Sequence, residues 1–205
     1  MRAKQLGLVF ENGKFVYHGK SAHASTPEEG ENAILPVLNL FRSDASIARV
    51  IEDLFEDKHG LTKICDETGS LTLSPDLVHF RKGLLAVTCD IRYPATMGVK
   101  QIMAALDRLG VKYEVLHHQA PIYNDKNSPL ISTLRSVFEE YTGESCEPIA
   151  IGGGTYARAL KNGAAFGPEM KGDVPVAHQP NEFIAVDRVE LMMNVYKEAV
   201  KLLTK

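Results

Sequence analysis

The chain is poor in cysteine, long apolar runs and excess charge, and each shortage removes a class of protein. Its three cysteines, Cys65, Cys89 and Cys146, lie far apart, and none forms a Cys-x-x-Cys pair. That excludes a disulfide framework and a zinc finger, and reads as reduced thiols in a cytoplasmic protein. Cys89 alternates with Val87 and Ile91, the setting of a small core residue. No apolar stretch approaches the roughly 20 residues a membrane span needs. The basic start, Met1-Arg2-Ala3-Lys4-Gln5, has no apolar segment or cleavage site behind it, so no signal peptide is expected. A formal charge of -3 gives no attraction to nucleic acid or an anionic membrane. Catalytic signatures are equally scarce. There is no Gly-x-Ser-x-Gly elbow, no His-Glu-x-x-His helix and no His-x-Asp pair, and Cys65 has no local signature.

What is present is patterning. With 205 residues, 44% of them hydrophobic and 24% charged, the chain has the balance of a globular protein and the length for one large domain or two small ones. Residues 6–17 alternate around Asn12-Gly13, a hairpin signal. A helix is expected from Asn32, with Ile34, Val37, Leu38 and Phe41 on one face. Residues 47–69 read as a charged, partly helical insertion. Two strands over 71–93 meet at Arg81-Lys82-Gly83, with Leu85, Val87, Cys89 and Ile91 inward and Asp90 and Arg92 sharing the other face. A helix carrying Val99, Ile102, Met103, Leu106 and Leu109 stops at Gly110, and a strand is expected over 111–116. The order matches a split βαβ sandwich. From Ser128 the pattern becomes helix–strand alternation, the sign of a parallel sheet. A helix capped by Ser128 ends at Thr142-Gly143, and strands are expected over 148–151 and 164–166. The last helix carries an Asp187-x-x-Glu190 capping pair and buries Met192, Val195, Tyr196, Ala199 and Leu203.

Chemistry-bearing residues gather in four places. In Ala177-His178-Gln179-Pro180-Asn181-Glu182-Phe183 a proline-bearing turn can fix one imidazole as a metal ligand or acid–base group, or simply hold a structural histidine. Gly19-Lys20-Ser21-Ala22-His23-Ala24-Ser25-Thr26-Pro27-Glu28-Glu29-Gly30 places a second histidine in a loop. Arg92 closes a strand as either a salt-bridged surface residue or a bidentate clamp on a carboxylate. Gly152 to Ala157 fits Gly-x-Gly-x-x-Ala, which suits a tight turn, a carboxylate or carbonyl site, or a dinucleotide. No acidic partner follows on the next strand. Glu28-Glu29 and Glu139-Glu140 read as solvated, and His117-His118 face opposite ways along a strand.

Taken in order, GKSAHASTPEEGENAI, DIRYP, IGGGTYAR and HQPNEF resemble the dinuclear-zinc aminoacylase, carboxypeptidase G and dipeptidase family, and most of all its bacterial Xaa-His dipeptidase (carnosinase-like) branch. The likeness covers nearly the whole chain. It implies a zinc-binding α/β domain interrupted by a ferredoxin-like lid. By this resemblance His178 matches a zinc ligand. His23 matches a lid histidine that stabilises the oxyanion. Arg92 matches the lid arginine that binds the substrate carboxylate, and Gly153, Gly154 and Thr155 match the turn lining that pocket. The family's His-x-Asp motif, bridging Asp and Glu-Glu pair belong to an N-terminal segment that has no counterpart here.

The expected fold class is therefore α/β plus α+β. A ferredoxin-like (split βαβ) lid, shortened at its start, occupies 1–122, and the C-terminal part of an α/β zinc-peptidase domain occupies 123–205. The expected function is that of the C-terminal portion of a truncated cytoplasmic zinc dipeptidase. Its parent would hydrolyse dipeptides with a free C-terminal carboxylate and hold two zinc ions per complete site. The chain alone is expected to be inactive. The alternatives are a non-catalytic interaction module, self-associating or pairing with a separate N-terminal half, and a nucleotide-binding domain using the Gly152–Gly154 turn.

Overall fold

The computed structural model describes residues 2–174, 176–177 and 180–205. The chain divides into two compact units, Met1–Pro121 with Ala150–Gly153, and Ile122–Ile149 with Gly154–Lys205. Both mix helices with loops, and all strands among the described residues pair antiparallel.

In the first unit α1 (Arg2–Gln5) leads into the hairpin of β1 (Val9–Glu11) and β2 (Lys14–Val16). Asn12 and Gly13 turn it at φ 48° and 78°. Positive φ at both central positions is what a two-residue type I′ turn requires, and Asn-Gly supplies it at low steric cost. Helices α2 (Ile34–Asn39) and α3 (Ala45–Leu54) follow. Asp44 caps α3, accepting from the Ser46 and Ile47 amides at 2.9 and 3.2 Å. The small hairpin of β3 (Cys65–Asp66) and β4 (Gly69–Ser70) precedes the long pair β5 (Thr72–Arg81) and β6 (Leu84–Arg92). Lys82 and Gly83, again both at positive φ, turn this second hairpin. Its register sets Thr72 opposite Arg92 and Ser74 opposite Asp90 before a bulge between Pro75 and Leu77. Helix α4 (Val99–Leu106) then packs Ile102 and Ala105 with Leu61, Leu71 and Leu109, and Leu73 and Ile91 of the strand pair lie against this cluster. Burial and the nearby Asp76 charge push the Cys89 thiol up to about 11, so it stays protonated and inert.

Asp66 ties the small hairpin to the approach of α4. The Thr68 amide and hydroxyl donate to Oδ1 at 2.5 and 2.6 Å, and the Thr96 amide and hydroxyl donate to Oδ2. Desolvation pushes this carboxyl upward, but the four donors outweigh it and hold it at about 2. Because the folded value lies below the ordinary one near 3.9, its stabilisation is full above that value and is lost as pH falls towards 2. Asp66→Asn should unfold at lower urea than wild type at pH 7, with the gap closing between pH 4 and 2. A gap that persists at pH 2 would mean that the carboxylate is not the cause.

In the second unit α5 (Pro129–Thr142) packs against α6 (Val186–Leu203) through Val137, Met192, Val195 and Ala199. Ser128 caps α5, its hydroxyl accepting from the Ile131 amide at 3.4 Å, and Gly143 ends the helix at φ 71°. Phe166 meets Phe138 and Tyr196 edge to face, at centroid distances of 6.3 and 5.9 Å. No helix among the described residues is long and apolar enough to cross a membrane.

Several expected elements differ. Residues 111–116, 148–151 and 164–166 form no strand. An alternating or apolar run becomes a strand only where a partner edge accepts its backbone bonds, and among the described residues none does. Leu116 and Ile149 are 72% and 84% exposed. The parallel sheet and the closing strand of a split βαβ sandwich are accordingly absent among the described residues. On α6 the Asp187-x-x-Glu190 pair does not cap. The helix begins at Val186 with no side-chain cap, and the Asp187 carboxylate accepts from the Arg188 amide instead. Tyr196 and Leu203 lie towards the outside of the helix rather than in its core.

Candidate functional site

The His23 segment is a loop closed at its neck. Lys20 and Glu31 exchange backbone hydrogen bonds, Lys20 N to Glu31 O at 3.0 Å and Glu31 N to Lys20 O at 2.8 Å. Two glycines permit this approach. A Cβ on Gly19 would fall 2.3 Å from Glu31 O, and one on Gly30 would fall 2.8 Å from Lys20 O. The loop is fastened to the sheet at two points: the Thr72 hydroxyl donates to Ala24 O at 3.0 Å, and the Asn32 amide donates to Pro75 O, beside the bulge, at 2.8 Å. Within the loop, the Ser25 amide lies 3.2 Å and its hydroxyl 2.7 Å from His23 Nδ1. A backbone N–H can only donate, so Nδ1 is an acceptor. In the neutral ring the proton therefore sits on Nε2, leaving that N–H as an outward donor.

Arg92 lies at the end of β6. Its Nε and Nη2 donate to the two oxygens of Asp90 at 2.6 and 2.7 Å, and Nη1 donates to Gly152 O at 3.3 Å. The bond to Asp90 raises the guanidinium pKa further, so its charge is permanent. Gly152 also touches the histidine loop: a Cβ there would fall 2.0 Å from Ser25 Cβ. The His23 loop, Gly152 and Arg92 are thus drawn together within the first unit. Beside them lies an open groove of about 450 Å³ lined by Ser25, Glu28, Thr72, Ala150 and Gly152, among others. Asp90, Ser25 and Gly152 carry this convergence. Sequence had marked Gly152 as the start of the glycine turn and Asp90 only as the companion of Arg92 on one strand face, and it had not singled out Ser25 as a site residue.

A Cβ on Gly153 would meet open space, and one on Gly154 only the mobile end of Arg158. Thr155 is extended and precedes a 3-10 turn, Tyr156–Ala159, without capping it through its side chain. That four-residue turn, with no strand before it, is not the strand-to-helix junction a dinucleotide needs, which corrects the nucleotide-binding alternative. His118 Nε2 lies 2.8 Å from the Tyr93 hydroxyl. His178 lies outside the described residues. Among the described residues no three His, Cys, Asp or Glu side chains cluster so as to hold a metal ion, so they do not fit the zinc pair that the resemblance implies.

The sequence is similar to those of known proteins. A protein named beta-Ala-Xaa dipeptidase from Lactobacillus delbrueckii subsp. lactis is 31% identical over 211 residues, which cover 95% of this chain and 45% of that protein. YtjP of Bacillus subtilis (strain 168), provisionally named a dipeptidase, is 32% identical over 96% of this chain and 46% of its own length. A Staphylococcus epidermidis (strain ATCC 12228 / FDA PCI 1200) protein, also provisionally named a dipeptidase, is 30% identical over 89% of this chain and 42% of its own length. The chain spans about half the length of the curated relatives it matches. The family model described as peptidase family M20/M25/M40 matches residues 11–202, nearly all of the 205, and the chain belongs to that family.

Proposed function

We propose that this chain is the substrate-recognition part of a cytoplasmic zinc dipeptidase, with residues 1–122 as its lid and the rest as the C-terminal segment of the catalytic domain. One observation carries the reading: Gly152 touches Ser25 of the His23 loop and accepts from Arg92. The Arg92 guanidinium and the loop that carries His23 thereby meet at Gly152, which lines the groove together with Ser25. A dipeptide with a free C-terminal carboxylate suits that pair. Its carboxylate would take the outer edge of Arg92, and its amide oxygen would accept from His23 Nε2 as negative charge develops there. The family resemblance assigns Gly153, Gly154 and Thr155 to the turn that serves the carboxylate. The proposed metal is zinc, with His178 as one ligand. Among the described residues no set of side chains is gathered to hold it.

The 205-residue chain alone is therefore expected to bind dipeptides without hydrolysing them. Purified chain incubated with β-alanyl dipeptides, the class named for the Lactobacillus relative, should release no amino acid above the buffer blank, with or without added zinc. The same dipeptides should shift the Arg92 side-chain resonances. Turnover that a chelator abolishes would overturn the inactivity, and the absence of any shift would overturn the recognition role.

A further inference from the structure

We infer that Asp90 is the positioning residue for Arg92, fixing which edge of the guanidinium faces the substrate; this rests on the reading of Arg92 as the carboxylate clamp. A guanidinium has five N–H donors in a rigid fork. Asp90 takes two of them, on Nε and Nη2, in a bidentate pair at 2.6 and 2.7 Å. Gly152 O takes one from Nη1. Two donors are left, one on each terminal nitrogen, and with the Asp90 side of the fork occupied the outer edge that those nitrogens share is the one left to a carboxylate. That edge matches the two oxygens of a carboxylate. The neighbouring polar groups leave Asp90 to this task. Ser74, opposite it in the register, gives its hydroxyl to Asp76 at 2.7 Å. Arg92 is charged under all physiological conditions, so Asp90 has no need to protonate it. What the carboxylate adds is direction.

Positioning and simple electrostatics predict opposite signs. Asp90→Ala removes a negative charge beside the site. If Asp90 acted only through charge, a carboxylate ligand would bind more tightly to the variant. If Asp90 aims the fork, the freed guanidinium rotates and the same ligand binds more weakly.

The experiment is an NMR titration of the full 205-residue chain with a β-alanyl dipeptide, using the matching dipeptide amide as control. Wild type should respond to the acid and far less to the amide. Asp90→Ala and Asp90→Asn should weaken acid binding about tenfold and bring the two ligands closer together. Both should also lose the slowly exchanging Arg92 Nε–H signal, which a merely structural role for Asp90 elsewhere in the sheet would leave in place. Unchanged or tighter acid binding by Asp90→Ala, with binding lost in Arg92→Ala, would overturn the positioning role and leave the clamp standing. Wild-type affinity in Arg92→Ala, or no response of wild type to the acid, would overturn both.

Discussion

Removing Arg49 and His59 together is expected to destabilise the chain more than removing the aspartate they share. Asp53 is 4% exposed, the one charged side chain among the fully buried residues described. His59 Nε2 donates to one of its oxygens at 3.0 Å and Arg49 Nε to the other at 3.4 Å. Arg49 also reaches Leu109 O at 2.6 Å, so the cluster ties α3 to the end of the α4 segment. A buried carboxylate stripped of its partners keeps its desolvation cost and loses what offsets it. Arg49→Ala with His59→Ala should cost about 3 kcal/mol, the low end for a broken buried pair because water can enter the vacated space. Asp53→Ala leaves Arg49 and His59, both already partly in water, and should cost about 1–2 kcal/mol. Adding Asp53→Ala to the double variant should then restore stability instead of lowering it further. Urea denaturation of the four proteins decides it. A triple variant less stable than the double would show that the carboxylate is not a buried liability.

How much of this was legible in the sequence depends on the range of the forces involved. Both hairpins, the Ser128 cap with Gly143, and the Gly110 stop were readable because turn and cap chemistry acts between near neighbours: Asn12-Gly13 and Lys82-Gly83 adopt the positive φ their turns demand. The expected strands at 111–116, 148–151 and 164–166 were not secure, because strand status is a property of a pair and apolar alternation names only one member. Residue type pointed to the site, with His23 and Arg92 standing in short distinctive stretches. Their connection was hidden. Gly152 links them across about 60 and 127 positions of chain, and a glycine that matters for the space it leaves has no side chain to advertise it. Asp53 was invisible for a related reason. It reads as one more charge in a charged segment until its burial is known.

Gly152→Ala is expected to abolish dipeptide binding while leaving the chain folded. The added Cβ would lie 2.0 Å from Ser25 Cβ and 2.5 Å from Ser25 Oγ, where ordinary contact begins at 3.4 Å. Neither side can yield cheaply. A Cβ moves only with its backbone, and the Ser25 backbone is held by its amide bond to His23 Nδ1 and by the anchor of neighbouring Ala24 O to Thr72. The segment at Gly152 must therefore withdraw, by roughly 1.4 Å at the least, to restore ordinary contact. Its carbonyl already accepts from Arg92 Nη1 at 3.3 Å, so a shift of that size can break the bond. One methyl group would thus separate the glycine turn from the guanidinium and distort the His23 loop together. Misplacement of about 1 Å is enough to cost a binding constellation most of its function. The core of the first unit, Leu61, Leu71, Ile102, Ala105 and Leu109, does not include Gly152. Thermal unfolding should therefore stay close to wild type while the Ser25 amide and Arg92 side-chain resonances move and the response to a β-alanyl dipeptide disappears. Gly153→Ala is the control, since its Cβ would meet nothing within 4 Å. If both variants bind the dipeptide as wild type does, the meeting of Ser25, Gly152 and Arg92 is not what forms the site.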